Sequence, residues 1–164
     1  MPMTRYRASY IVFPAATLAA GLAIGFLNLP GDWYAQLRKP SFNPPDWIFG
    51  PVWSVLYLMI GAAAARLWTA CPSGAAMRLW WLQMALNLFW SPLFFRMHRP
   101  HFALVDIVGL LSAILAFVIF AWREDRVGAL LFLPYAAWVS FATVLNGAIL
   151  LLNGETYWSS LSDP

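Results

Sequence analysis

Five stretches of the chain, 10–29, 51–68, 77–95, 102–122 and 127–152, run almost without charge, and the segments between them are short and polar except at one place. Each stretch is long enough to cross a hydrocarbon layer about 30 Å thick as a helix, which takes about 20 residues. Backbone surrounded by lipid must satisfy its own N–H and C=O groups, so helix is the conformation expected for all five. The connections near 71–74, 96–100 and 123–126 are short, so sequence neighbours should run antiparallel. The predicted fold is an all-α membrane protein, a bundle of five transmembrane helices forming one domain over 1–164, with a long Pro/Trp-rich loop between helices 1 and 2. No internal repeat is visible.

That loop, 33–53, breaks the pattern. It carries Trp33, Tyr34, Trp47 and Trp53, and it holds or adjoins Pro30, Pro40, Pro44, Pro45 and Pro51. Each proline removes a backbone donor, fixes φ and turns the preceding residue away from helix, so the segment should be extended and stiff. A flexible connector would be rich in Gly and Ser and would lack large rings to anchor it. The segment reads as a lid over one end of the bundle, the other reading being an aromatic belt at the membrane interface.

Composition agrees with the apolar pattern: 62% of residues are hydrophobic and 10% charged, against roughly 45–50% and about 25% in a soluble domain. The net charge of +3 is small and its basic residues are scattered, which excludes a nucleic-acid surface. The single cysteine, Cys71, has no partner for an internal disulfide. Arg5 and Arg7 before an apolar run mimic a secretory signal, but no small-x-small cleavage site follows, so the run is expected to be the first span. An odd number of helices sorts the basic residues into Arg5, Arg7, Arg66, Arg78, Arg123 and Arg126 on one side and Arg38, Lys39, Arg96 and Arg99 on the other. Six against four favours a cytoplasmic N-terminus.

With that topology the unusual side chains gather at the lid end. Trp53 and Tyr57 open span two; Gln83, Asn87, Trp90 and Phe94 lie toward the end of span three; Asp106 opens span four; Ala142 and Asn146 close span five, with Tyr135 and Trp138 deeper. Structural readings stand beside the functional one. Gln83 and Asn87 also suit hydrogen bonding between helices. Asp106, costly in hydrocarbon, sits near a helix start that favours a carboxylate, within range of Arg99. Trp53, Trp90 and Trp138 also suit core filling. Gly21 and Gly25 form a G-x-x-x-G pair expected at a close helix contact. Several flat rings, two amides and a rim bearing Arg38 and Lys39 fit a flat, largely apolar molecule with a polar edge. His98 and His101 lie in a loop and no histidine lies in a span, so a protein-held metal is not expected and a metal-free tetrapyrrole is the better candidate.

The residues Trp33-Tyr34, Leu37, Lys39-Pro40, Pro44-Pro45, Phe49, Pro51, Trp53 and Tyr57 resemble, in order and spacing, the TspO/translocator-protein family of tryptophan-rich sensory proteins and peripheral benzodiazepine receptors. The resemblance continues through Gln83, Asn87, Trp90, Phe94, Asp106, Pro134-Tyr135, Trp138, Ala142 and Leu145-Asn146. It implies a five-helix homodimer in a membrane that binds porphyrins such as protoporphyrin IX, benzodiazepine and isoquinoline ligands and, in some members, sterols. The ligand-binding set expected on residues and resemblance together is Trp33, Tyr34, Lys39, Pro45, Ile48, Trp53, Tyr57, Gln83, Asn87, Trp90, Phe94, Asp106, Tyr135, Trp138, Ala142 and Asn146. A Tyr and a basic residue that mark sterol recognition in eukaryotic members are missing after Leu145, which favours a bacterial porphyrin-type role. The leading expectation is a non-catalytic binding and translocating protein with no required cofactor. Its rivals are a light-dependent porphyrin-degrading enzyme using Trp53 and Trp138, and a stress-sensing or signalling partner protein.

Overall fold

The computed structural model describes the backbone of residues 2–162 and the side chains of residues 7–154. The side chain of Arg5, counted above in the charge balance, lies outside that range. Among the described residues the chain is helical without strands: α1 (Pro2–Leu27), α2 (Asp32–Gln36), a 3₁₀ turn (Asp46–Ile48), α3 (Phe49–Ala70), α4 (Ala75–Ser91), a π turn (Pro92–Arg96), α5 (Pro100–Glu124), α6 (Arg126–Leu131) and α7 (Leu133–Ser162).

Four of these units are long and apolar enough to cross a membrane: Arg7–Leu27, Asp46–Ala70, Pro100–Glu124 and Arg126–Gly154. The expected third span, 77–95, is helical but differs from them. Its α-helix has 17 residues, carries Gln83 and Asn87, and widens into a π turn at Pro92, which has no N–H to continue the ladder. The expected fifth span is interrupted as well. Pro134 separates α6 from α7 at Phe132, whose N–H turns back to the Ala129 carbonyl at 3.1 Å. The lid is also less extended than its prolines imply. No proline falls between Pro30 and Pro40, and Asp32–Gln36 uses that interval to form a helical turn.

Alternating helix directions are fixed by contacts at both ends. Arg66 grips Asp125 through two hydrogen bonds of 2.7 and 3.0 Å, and Glu124 accepts from the Ala75 N–H at 3.1 Å, which gathers the α3, α4, α5 and α6 ends on one side. Asp125 also caps α6 by accepting from the Val127 and Gly128 N–H groups. Its partial burial opposes the charge, but the bonds from Arg66 and these backbone donors outweigh it and hold the carboxyl below its usual range. Arg66–Asp125 is the one ion pair among the described residues. Asp106 forms none with Arg99, the N-cap residue of α5, whose guanidinium lies 5.8 Å over the Phe102 ring.

Helix α1 lies along α3, and α4 along α5. Close approach of α1 and α3 depends on small residues: a Cβ at Gly61 would strike the Pro14 backbone, and Thr17 donates to the Tyr57 carbonyl at 2.8 Å. The G-x-x-x-G pair divides its roles. Gly21 lies against the Tyr57 ring, whereas Gly25 has nothing within 4 Å of a Cβ position. Gly61→Ala should therefore cost about 1–3 kcal/mol in reversible unfolding from lipid nanodiscs, as overpacking does, while Gly25→Ala should leave stability within about 0.5 kcal/mol. Equal effects at the two positions would contradict this packing.

Candidate functional site

Between the C-terminal half of α1, the start of α3, the end of α4 and the middle of α7 lies a cavity of about 740 Å³, within the range of small-molecule sites. Eight residues expected at the site line it: Tyr34, Trp53, Tyr57, Asn87, Trp90, Phe94, Ala142 and Asn146. The rings are ordered against one another. Trp53 stacks on Tyr57 with centroids 5.3 Å apart, and Trp90 stacks on Phe94 at 5.1 Å. Both stacked pairs belong to the lining and give it aromatic surface.

The polar groups behind those walls form a chain. The Tyr57 hydroxyl donates to Asn87 Oδ1 at 2.7 Å, Asn87 Nδ2 donates to the Tyr135 hydroxyl at 2.8 Å, and that hydroxyl donates to Gln83 Oε1 at 3.0 Å. Three helices, α3, α4 and α7, are joined by it. A second link runs from Trp90 Nε1 to Asn146 Oδ1 at 3.2 Å and from Asn146 Nδ2 to the Pro100 carbonyl at 2.9 Å, joining α4, α7 and α5. Gln83 and Tyr135 are wholly buried and sit behind the cavity rather than in its lining.

Other expected residues fall elsewhere. Trp138 lines an outer groove between α3 and α7, with Pro51, Val52 and Phe141, and its ring lies 5.8 Å from that of Phe49, which lines the cavity. Helical spacing placed it on one face with Ala142 and Asn146, but it lines the outer groove and not the cavity. Asp106 lies outside the lining, and its buried Oδ2 has no hydrogen-bond partner. Pro45 and Ile48 shape the 3₁₀ turn through a 3.0 Å bond from the Ile48 N–H to the Pro45 carbonyl, away from the lining.

The lid is anchored by rings and by one amide. Trp33 stacks on His98 at 4.4 Å and meets Phe94 at 5.8 Å edge to face. Tyr34 packs on Phe94 and Phe95, and Lys39 Nζ lies 4.3 Å over the Tyr34 ring. Burial first, and the Asp46 charge second, push the Tyr34 hydroxyl above its usual range. Trp47, expected as an anchor, is 74% exposed, which suits an interfacial ring instead. One clasp is something that sequence reading missed: Asn153 on α7 accepts from the Arg38 N–H at 3.0 Å and donates to the Arg38 carbonyl at 2.9 Å. Its side-chain amide pairs with a backbone amide as a strand neighbour would. Also unanticipated in the lining are Asn28, Asp46, Phe49 and Val139. Phe49 and Asp46 were visible as lid residues, but nothing in their spacing pointed inward.

An all-helical, multi-pass membrane protein with an aromatic cavity beneath an ordered lid is thus defined. The TspO/MBR family model matches residues 11–152, and the chain belongs to that family. It is 43% identical to the Tryptophan-rich protein TspO of Chlorobaculum tepidum over 80% of this chain and 90% of that protein. Identity to the protein of the same name from Archaeoglobus fulgidus is 38%, over 84% of this chain and 92% of the relative. The human Translocator protein is 38% identical over 70% of each chain.

If Asn153 holds the lid, Asn153→Ala should expose the Arg38-Lys39 bonds. Tryptic cleavage there should speed up about fivefold or more, as expected when about 1 kcal/mol of local hydrogen bonding is lost. An unchanged cleavage rate in a folded variant would show that the rings alone hold the lid.

Proposed function

We propose that this protein binds flat hydrophobic molecules, porphyrins such as protoporphyrin IX foremost, in the cavity beneath the lid and passes them on without chemical change. The observation that carries the reading is the pairing of two stacked aromatic walls, Trp53 on Tyr57 and Trp90 on Phe94, around about 740 Å³ of largely apolar space. The benzodiazepine- and isoquinoline-type ligands expected from the family resemblance share that flat shape. The proposal includes five spans, the third being α4 with its π turn, which runs alongside the membrane-length α5. It also includes a homodimer in the membrane.

Light-driven porphyrin breakdown is the competing reading, and Trp53 is the indole placed to take part, since it lines the cavity while Trp138 stands behind Phe49. Binding of protoporphyrin IX to the protein in nanodiscs, in the dark and under fixed illumination, separates the two. In the dark Trp53→Phe should weaken binding by about 0.5–1.5 kcal/mol through the lost aromatic arrangement, and Trp138→Phe should change it less. Under light, bleaching at matched occupancy should be the same for wild type and both variants. Bleaching that collapses in Trp53→Phe while dark binding survives would transfer the assignment to the enzyme. Absence of dark binding would overturn the porphyrin reading.

A further inference from the structure

The walls of the cavity are not equally closed. Every exposed residue in its lining lies between Leu22 and Pro30 or between Asp46 and Gly50, whereas the lining residues from α4, α5 and α7 are buried or half-buried. Both exposed groups flank one seam, that between α1 and α3. Toward the end of the bundle away from the lid this seam is shut. A Cβ on Gly61 would strike the Pro14 backbone, Thr17 donates to the Tyr57 carbonyl at 2.8 Å, and a Cβ on Gly21 would strike the Tyr57 ring. Beyond Tyr57 the seam parts. Gly25, one turn on from Gly21, and Gly50, two turns before Tyr57, both line the cavity, are exposed and have nothing within 4 Å of a Cβ position.

We infer that this parting is the mouth of the cavity, opening sideways into the bilayer, so that ligands enter from the lipid between α1 and α3 rather than from water through the lid. The inference rests on the flat-ligand reading and adds the phase from which the site is filled. Both flanking helices are membrane-length, Arg7–Leu27 and Asp46–Ala70, and the mouth lies at their lid ends, which places it at the edge of the hydrocarbon. Trp47, exposed beside Asp46, marks the same level as an interfacial ring. A flat apolar molecule with a polar edge collects at that level, its body in the hydrocarbon and its edge at the headgroups, and passage through the seam keeps the body out of water throughout. The exposed side chains that flank the way in on α1, Leu22 and Phe26, are apolar. Pro30 and Asp46, near the two ends of the lid segment, bound the mouth above, so the lid need only shift, not lift away, for a molecule to pass.

Plugging the mouth tests the route. Gly25→Phe and Gly50→Phe each add a ring where a Cβ meets nothing, and Gly25→Leu and Gly50→Leu serve if the larger side chain prevents folding. Association and dissociation of protoporphyrin IX are followed by its fluorescence with the full chain in nanodiscs, with excess empty vesicles as the sink for dissociation and empty nanodiscs giving the rate of loading lipid alone. An obstacle on the path raises the barrier in both directions, so a plug at either position should slow association and dissociation together, by about fivefold or more, and leave Kd within about twofold of wild type. Wild-type rates at both positions, or weaker binding without slower association, would overturn the lateral mouth and leave the flat-ligand reading intact. If the wild type bound no protoporphyrin IX, both would fall.

Discussion

A polar side chain inside a membrane bundle has almost nowhere to turn except to another part of the bundle, and this protein rests on that constraint. The chain from Tyr57 through Asn87 and Tyr135 to Gln83 answers it across three helices with three hydrogen bonds of 2.7 to 3.0 Å. Hydrophobic burial discriminates weakly between one helix arrangement and another when lipid is as apolar as leucine. A directional network discriminates more strongly, since sliding one helix by a turn would strand several buried donors and acceptors. The network also has a side that faces the cavity. Tyr57 and Asn87 present their flanks to the open space while their polar atoms are bonded away from it, which leaves the lining mostly apolar.

The lid depends on the same bundle. Its rings Trp33 and Tyr34 reach Phe94, Phe95 and His98, and Phe42 meets Phe141 on α7. Asn153 adds a clasp from α7, so the lid bridges the far side of the bundle as well. At the opposite end Arg66 and Asp125 tie α3 to the start of α6. The two ends thus differ in kind: one is closed by charge and capping, the other by aromatic rings and a single amide. The weaker, ring-based closure lies over the cavity, where exchange of a bound molecule requires movement.

Much of this was legible from the chain. Membrane-length apolar stretches force helix, so 51–68 and 102–122 reappear as helices whose ends shift by a few residues, and 10–29 as a helix that begins earlier, at Pro2. Helical spacing and alternating direction brought Trp53, Tyr57, Asn87, Trp90, Ala142 and Asn146 to one end, and all six line the cavity. Ring direction was not legible. Trp138 shares a helical face with Ala142 and Asn146, yet spacing does not say toward which neighbour an indole will turn. Arg99 and Asp106 are two turns apart, but Arg99 precedes the first turn of α5 and lies over Phe102. The clasp between Arg38 and Asn153 joins residues 115 positions apart and uses a backbone amide, which leaves no mark in side-chain pattern. Asn28 was passed over because it fell at the end of an apolar stretch, where a polar residue ordinarily meets the interface.

The central claim is that one hydrogen-bond chain frames the cavity, and a double-mutant cycle on Tyr57→Phe and Tyr135→Phe tests it most directly. Each change removes a hydroxyl from the same chain while keeping the ring. Reversible unfolding from nanodiscs should show a coupling of about 0.5–3 kcal/mol, the double variant being little worse than the poorer single one. Strictly additive losses would mean that the two hydroxyls act independently, and the account of a shared frame would be wrong.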